Sequence, residues 1–405
     1  MLSDLLESTQ LDSAFCAGLI RVSPEIFESW LRGGHPIPKY ATTELSAIFG
    51  VSEADLNTVY RNPKPAEPPA IWYKLRTERL GEADRELVGA IRKIGLYLNQ
   101  LRKLQAHGEP DFGPLFQRVR DAVDKSAPPA IQGARGAAEF RRQDSAFSHG
   151  KTGVGEMLRQ RLGHHGLLVV ETPLKGSKVE GCSFNTTTGD GQIPCLFANT
   201  YQSTWFRRNG VLAHELCHAI FDLDSEPISI DYKDEAASEI WERRAQVFAR
   251  DLLVPREVLE HYGSQFGLKW ESLSERDLAA LVASTHAEQR LVLDAALAAQ
   301  LIDDDLRDKY SSFECTPILR NISEHALDTH EYIAKRGIKS PKWTAEFRKV
   351  RIANRLLTLP IGYVKEVLNA SKSGLVTTTK AAEMLLLDRY TFSDRFPEYI
   401  SVQPE

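Results

Sequence analysis

Two histidines and a glutamate with helical spacing lie near the middle of the chain. His214, Glu215 and His218 fall in the segment GVLAHELCHAIFDL. Residues four apart on an α-helix are separated by about 40° around the axis and about 6 Å along it, so both imidazoles can face one metal ion. Glu215 can take a proton from a water molecule whose pKa zinc lowers towards 7, and can later deliver it to a leaving amine. The spacing therefore predicts a catalytic Zn²⁺ site.

A catalytic zinc needs a third protein ligand, and the acidic segment EAASEIWERRAQVFARDLLVP offers Glu235, Glu239 and Glu242. Glu242 is the first candidate because apolar residues at helical spacing would pack its helix against the histidine helix, leaving Glu242 at the edge that faces the metal. Those apolar residues are Ala245, Phe248, Ala249 and Leu252. Glu239 is the reserve candidate. The alternative interpretation is a pair of hydrogen-bonded core histidines, which the following acidic helix makes less favourable.

The segments around this motif alternate between helix and strand. A helix (VGEMLRQRL) precedes a strand (GLLVVETP), glycine-rich turns, a second apolar strand (IPCLFANT) and then the histidine helix. This alternation predicts an α+β region in a mostly helical chain. A substrate is expected to lie along an edge strand near Cys195 to Thr200. Tyr201, Arg207 and Arg208 are candidates to stabilise an oxyanion, although a solvated turn is the better interpretation of both arginines.

Five cysteines are widely scattered and form no C-x-x-C pair: Cys16, Cys182, Cys195, Cys217 and Cys315. Reduced and mostly buried thiols are expected. Cys217 is rotated about 100° from His218 on a helix, so it is a core residue and not a ligand. Cys182 lies in a glycine-rich turn and is a minor candidate for an auto-inhibitory thiolate on the zinc.

Composition and turn signals divide the chain into four predicted pieces. Residues 1–60 read as short helices separated by turns at Gly18, Ser23-Pro24, Gly33-Gly34 and Gly50. Residues 61–148 combine a proline-rich linker with a helical arm, 149–310 hold the α+β domain, and 311–405 form a C-terminal helical domain. No apolar stretch is long enough to span a bilayer and the N-terminus has no signal-peptide pattern, so a cytoplasmic protein is expected.

Charge changes sign between the first two pieces. Residues 1–60 hold three basic and eight acidic residues, whereas residues 61–150 hold 16 basic and 11 acidic ones. Contact with nucleic acid needs positive charge facing phosphate. The first piece is therefore poorly suited to bind DNA without help from the second.

The central region resembles the ImmA/IrrE family of bacterial regulatory metallopeptidases. The resemblance runs through IPCLFANT, STWFRRNGVLAHELCHAIFD and ERRAQVFARDLLVP, over roughly residues 150–300. It implies a zincin-like domain in which the family's glutamate ligand falls on Glu242, counted back from Pro255. Many members carry asparagine four residues after that glutamate. Here the residue is Gln246, which is expected to act as an outer hydrogen-bonding group around the metal.

Through the segment FCAGLIRVSPEIFESWLRGGHPIPKYATTELSAIFGVSEADL, residues 1–58 look like a phage-repressor-type (Xre-like) helix-turn-helix. The would-be recognition helix begins at Ser23-Pro24 but presents Glu25 and Glu28, with Arg32 as its one helpful cation. Docking of a partner protein or of another subunit in a homo-oligomer is therefore favoured over independent DNA reading. Contacts from the basic arm would involve Arg92, Lys93, Arg102 and Lys103. A solvated face of a long helix is the alternative interpretation of that arm.

The resemblance implies a regulatory zinc endopeptidase that cleaves one partner protein, a transcriptional repressor encoded nearby. The expected context is bacterial stress response, mobile elements, phage defence or a toxin-antitoxin module. The alternative is a DNA-binding transcriptional regulator or toxin-antitoxin component whose metal site is structural or regulatory. Exchange of Glu215 for glutamine separates the two, because it should keep the metal and abolish cleavage.

Overall fold

The computed structural model describes residues 2–61, 81–105, 112–144, 147, 154–186, 193–223, 228–232, 240–323, 349–352 and 355–401. Over these residues the chain is mostly helical with two small sheets, which confirms the predicted α+β class. None of the described helices is long and apolar enough to cross a membrane.

Residues 2–61 form five short helices, as the turn signals predict. They are α1 (Leu2–Thr9), α2 (Ser13–Leu19), α3 (Pro24–Leu31), α4 (Lys39–Phe49) and α5 (Glu53–Arg61). The Ser23 hydroxyl caps α3, and Gly50 ends α4 in the left-handed conformation. Gly18, expected at a turn, lies inside α2, and the turn falls at Arg21 with a φ of 57°. The guanidinium of Arg21 donates to the Leu387 carbonyl at 2.5 Å, which ties this turn to the far end of the chain.

The remaining described helices continue in chain order to the C-terminal region. They are α6 (Glu82–Leu104), α7 (Phe112–Asp121), α8 (Pro129–Gln143), α9 (Leu158–His164), α10 (Trp205–Phe221), α11 (Ile240–Leu253), α12 (Arg256–Phe266), α13 (Glu275–Thr285), α14 (Gln289–Ala298), α15 (Asp304–Ser311), α16 (Thr316–Ile322), α17 (Ile361–Lys372), α18 (Thr378–Met384) and α19 (Arg389–Ser401). Short 3-10 turns cover Val154–Glu156 and Trp270–Ser272.

A four-stranded mixed sheet lies at the centre of the molecule. Its strands are β1 (Leu168–Thr172), β2 (Val179–Asn185), β3 (Pro194–Asn199) and β4 (Ile228–Tyr232), in the order β1-β3-β2-β4. β3 is parallel to β1 and antiparallel to β2, so both of its sides are hydrogen-bonded. The prediction that a substrate lies along residues 195–200 as an edge strand is therefore wrong. Among the described strands of this sheet, β1 and β4 are the edges.

The two faces of this sheet belong to two separate hydrophobic cores. Along β3, Leu196 and Ala198 face the core that contains α10, which we call the front core. Cys195 and Phe197 face the core that contains α6, which we call the back core. The back core also contains the N-terminal helices and the C-terminal helices, so the first and last parts of the chain pack together behind the sheet.

Helix α6 is a core helix and not a solvated arm. Lys93 is fully buried and Arg92 is 3% exposed. Lys93 Nζ lies 3.0 Å from Glu44 Oε2 and also donates to the Leu19 carbonyl. The prediction that Arg92 and Lys93 contact DNA or a partner is therefore wrong, because both side chains are buried in the back core and cannot reach a binding partner.

The other basic residues named for such contacts lie nearer the surface. Arg102 is half-buried and its Nη1 donates to the Gly166 carbonyl at 3.0 Å, whereas Lys103 is exposed at the end of α6. Arg32 is exposed at the C-terminal end of α3. Nucleic-acid or partner contact by these residues stays a prediction.

Packing crosses the boundaries that the sequence suggested. Helices α7 and α8 belong to the front core with α10 and α11, while α6, from the same predicted arm, belongs to the back core. The proline-rich segment expected as a linker lies outside the described residues. The predicted boundaries stay predictions, but the arm itself is shared between two cores.

The C-terminal region contains a hairpin as well as helices. Strands β5 (Lys349–Ile352) and β6 (Arg355–Thr358) pair antiparallel, and the Thr358 amide donates to the Thr172 hydroxyl at 3.0 Å, next to β1. The predicted C-terminal helical domain over 311–405 therefore also contains a pair of strands. The hairpin brings the C-terminal region against the central sheet.

Candidate metal centre

The histidine helix α10 is the most deeply buried helix near the sheet. The Thr204 hydroxyl caps its first turn, and 14 of its 17 residues are buried. Its front-core neighbours surround it on nearly every side. Buried polar side chains on such a helix need partners of their own, which makes His214, Glu215 and His218 informative positions.

The neighbouring helix α11 is held against α10 by the predicted apolar stripe and by an unexpectedly close helix behind it. Ala245, Phe248, Ala249 and Leu252 are all buried. On the far side, a Cβ at Gly133 of α8 would lie 2.4 Å from the Arg244 carbonyl oxygen, so α8 and α11 meet nearly backbone to backbone. This packing fixes the position of Glu242 in the first turn of α11.

The structure brings His214, His218 and Glu242 together with their ligand atoms pointing at one another. The His214 and His218 Nε2 atoms are 3.1 Å apart, Glu242 Oε2 lies 3.1 Å from His214 Nε2, and Glu242 Oε1 lies 3.4 Å from His218 Nε2. Ligand atoms about 2.0–2.1 Å from a tetrahedral zinc are about 3.3–3.4 Å from each other. The two nitrogens are close to this separation, and one ligand atom from each of the three residues lies within 4.8 Å of the others, so the residues present fit the ion.

The acidic and imidazole groups of this site shift one another's pKa. Burial alone would raise the pKa of Glu242, but its hydrogen bonds with His214 and His218 outweigh burial and hold that pKa well below its usual range. Burial alone would lower the pKa of His218, yet hydrogen bonds to Asp222 and Glu242 raise it to about 10. Without metal, the site is held by a proton on His218 and a negative charge on Glu242.

Glu215 is fully buried beneath a glycine of strand β2. A Cβ at Gly181 would lie 2.7 Å from Glu215 Oε1 and 2.5 Å from Val211 Cγ1, so a side chain at 181 would displace the carboxylate. The register against β4 shifts between Val179 and Gly181, which is a β-bulge at Glu180. The bulge turns Glu180 and Gly181 to the same side, facing α10.

The bulge also explains where Arg207 lies. Arg207 Nε donates to Glu180 Oε1, and burial, moderated by the Arg207 charge, raises the pKa of the nearby Glu288 to about 7. Arg208, expected in a solvated turn, is instead buried, with Nη1 3.5 Å from Glu171 Oε1. Its engagement with Glu171 argues against an oxyanion role for Arg208.

Other residues singled out from sequence lie away from the ligands. Cys182 is in β2 and not in a turn, and it faces the back core, whereas Gly181 faces Glu215. Burial raises the pKa of its thiol well above the usual value, so the auto-inhibitory thiolate is wrong. Gln246 is half-buried on α11, and its side chain makes no hydrogen bond to another described residue. Glu235 and Glu239 lie outside the described residues.

Sequence reasoning missed two charged residues next to the ligands. Asp222 follows His218 by one helical turn, and its Oδ2 is 2.8 Å from His218 Nδ1. Arg244, two residues after Glu242, donates to the other oxygen of Asp222. The spacing of four between His218 and Asp222 was a readable signal, but the Asp222–Arg244 pair joins two helices and depends on the fold.

Comparison with known families agrees with this site. The model of the IrrE N-terminal-like domain, of the peptidase M78 family, matches residues 162–277. The matched segment runs from α9 into α13 and includes His214, Glu215, His218 and Glu242. No curated protein matches the chain. The family match supports the ImmA/IrrE family and a metallopeptidase-family function for this part of the chain.

Proposed function

We propose that the protein is a zinc-dependent endopeptidase that cleaves a specific partner protein. The observation that carries the proposal is the convergence of His214, His218 and Glu242, with Glu215 beside them under Gly181. Three ligands of this chemistry leave a position open for a substrate, as in catalytic zinc sites.

Each residue has a defined part in peptide hydrolysis. A zinc ion on the three ligands would supply Lewis-acid polarisation of the scissile carbonyl. Glu215 accepts the proton of the attacking water and passes it to the nitrogen of the leaving amine. Because its carboxylate is excluded from bulk solvent and cannot move towards β2, it is already in place before substrate arrives.

The restriction to one partner rests on the resemblance and on the surroundings of the site. The histidines lie on the buried helix α10, Glu242 lies on the half-buried helix α11, and β2 covers Glu215, so general access by unfolded chains is limited. A transcriptional repressor encoded nearby is the substrate class that the ImmA/IrrE resemblance implies.

The alternative of a DNA-binding regulator gains no support from the basic residues of α6. Two of the four α6 cations considered for DNA contact are buried, and the outer side of α3 exposes Glu25 and Ile26. DNA binding stays a prediction for which gel-shift with duplex and single-stranded DNA is the test.

The proposed function is tested by comparing cells that express the wild type and the Glu215→Gln variant. Labelling of new protein N-termini, read by mass spectrometry, should find a small set of cleavage sites that only the wild type produces. Incubation of the purified candidate repressor with each protein and zinc should reproduce the cut. If both proteins give identical sets of N-termini, the peptidase proposal is wrong.

A further inference from the structure

Asp222 lies where it can fix the orientation of one metal-binding histidine. It is the C-terminal cap of α10, one turn beyond His218, and its Oδ2 is 2.8 Å from His218 Nδ1. A carboxylate can only accept at this position, so His218 Nδ1 carries the proton. His218 Nε2 then faces His214 and Glu242, as metal binding requires.

Arg244 holds Asp222 from the other ligand helix. Its Nη2 donates to Asp222 Oδ1, and its guanidinium lies 4.9 Å from the centre of the Phe221 ring. Its Nη1 donates to Gln132 Oε1 of α8 at 3.3 Å. The side chain is 13% exposed, so the contacts are well shielded from water.

The His218–Asp222 and Asp222–Arg244 contacts together link the two helices that carry the three ligands. Arg244 follows Glu242 on α11, while Asp222 follows His218 on α10. A hydrogen-bonded ion pair therefore joins the segments that carry Glu242 and the histidines. The close approach of Gly133 to the Arg244 carbonyl leaves α11 little freedom to retreat.

We propose that Asp222 and Arg244 are positioning residues for the metal centre. Asp222 selects the histidine form that presents Nε2 to the ion, and Arg244 keeps Asp222 in place while holding the two ligand helices in register. This inference rests on the proposed zinc function but concerns residues beyond the ligands and Glu215.

The chain supplies a matched control on the same helix. Arg250 Nε lies 2.6 Å from Asp251 Oδ1, with side chains 19% and 25% exposed, close to the 13% and 18% of Arg244 and Asp222. The Arg250–Asp251 pair is comparably shielded but contacts none of the three ligand side chains among the described residues. Asp251→Asn therefore reports the loss of an ordinary half-buried ion pair.

The test is zinc affinity, measured by competition with a chromophoric chelator on the full chain. Asp222→Leu should weaken zinc binding by about 10- to 100-fold, the usual effect of losing such a partner. Asp222→Asn should lose less zinc affinity, because its amide oxygen can still accept a hydrogen bond from His218 Nδ1. The zinc affinity of Arg244→Gln should lie between those of the two Asp222 variants, and that of Asp251→Asn should match the wild type.

A second readout follows the histidine itself. In the zinc-loaded wild type, the His218 Nδ1 proton should exchange slowly in long-range proton–nitrogen NMR spectra, and in Asp222→Leu it should exchange fast. If Asp222→Leu binds zinc as the wild type does and keeps that slow proton, or if Asp251→Asn weakens binding equally, the inference is wrong. If the wild type itself binds no zinc, the proposed function fails instead.

Discussion

Two clusters of buried charge lie on opposite sides of the same sheet, and they are built differently. In the back core, Lys93 pairs with Glu44, and the Tyr97 hydroxyl is 2.9 Å from Glu44 Oε1 and 2.7 Å from Glu383 Oε1. Lys380 Nζ completes this cluster, 2.9 Å from Glu383. In the front core, two imidazole nitrogens and a carboxylate point at a common position.

The difference shows how to separate a structural cluster from a functional one. In the back cluster each carboxylate has its own lysine, and the Tyr97 hydroxyl lies between the two carboxylates, so the cluster joins three distant parts of the chain. In the front cluster the two Nε2 lone pairs converge at 3.1 Å, an arrangement that a proton or a metal ion must mediate. Burial and charge alone do not distinguish them, whereas the direction of the ligand atoms does.

The largest expected effect is on the front cluster. Glu215→Gln should lower the cleavage rate by about 10³-fold, within the range for losing a general base, while zinc still binds in a one-to-one ratio. The cleavage rate is measured with the partner substrate, and the zinc content is measured by emission spectroscopy. Glu260→Gln, on an exposed glutamate of α12, is the control and should behave as wild type. Loss of zinc in Glu215→Gln would mean that this glutamate is itself a ligand.

Gly181→Ala should act on Glu215 without touching the ligands. The new methyl group would lie 2.7 Å from Glu215 Oε1, so the carboxylate must move, and a displacement near 1 Å costs about 10²-fold in rate. Zinc affinity should stay close to that of the wild type. Gly163→Ala, at a glycine of α9 with open space around it, provides the control. Unchanged cleavage by Gly181→Ala would contradict the assigned place of Glu215.

Breaking the back cluster should change stability and not metal binding. Lys93→Met leaves Glu44 buried without its cation, and we expect the free energy of unfolding to fall by about 3 kcal/mol. Chemical denaturation measures the change, and the Lys93→Met/Glu44→Gln double variant should recover part of it. Zinc affinity should be equal in all three proteins. A drop in zinc affinity would show that the two clusters are coupled through the sheet.

The smallest expected effect is a pH dependence of the metal-free protein. The pKa of His218 rises from 6.5 to about 10, because hydrogen bonds to Asp222 and Glu242 outweigh burial. Protonation thus stabilises the fold fully below about pH 6.5, and this stabilisation is lost as pH rises through 10. Thermal melting with a chelator should show a falling Tm over that window, less steep in His218→Gln. In the zinc-loaded protein, His218 should not contribute to the pH dependence of Tm, because its metal-bound Nε2 takes no proton.

The sequence predicts the local parts of this molecule well. Periodicity locates α10 and α11, and the spacing of His214, Glu215 and His218 indicates their chemistry. The apolar stripe on α11 directs attention to Glu242, and the distance from Pro255 agrees with it. Each of these inferences uses residues close together in the chain.

What the sequence did not reveal depends on contacts between distant segments. Lys93 looks solvated in its own helix and is buried only because Glu44 approaches it from α4. The bulge at Glu180 and the role of Gly181 depend on pairing with β4 and packing on α10. The interior position of β3 depends on strand order, which periodicity does not determine.

X-ray absorption at the zinc edge of the loaded wild-type protein tests the central claim most directly. We predict one zinc per chain with nitrogen and oxygen neighbours at about 2.0–2.1 Å and outer-shell scattering from two imidazoles. Glu242→Gln should weaken zinc binding and remove one oxygen neighbour from the coordination shell. A sulfur neighbour at about 2.3 Å, or a zinc environment unchanged by Glu242→Gln, would contradict the assigned ligand set.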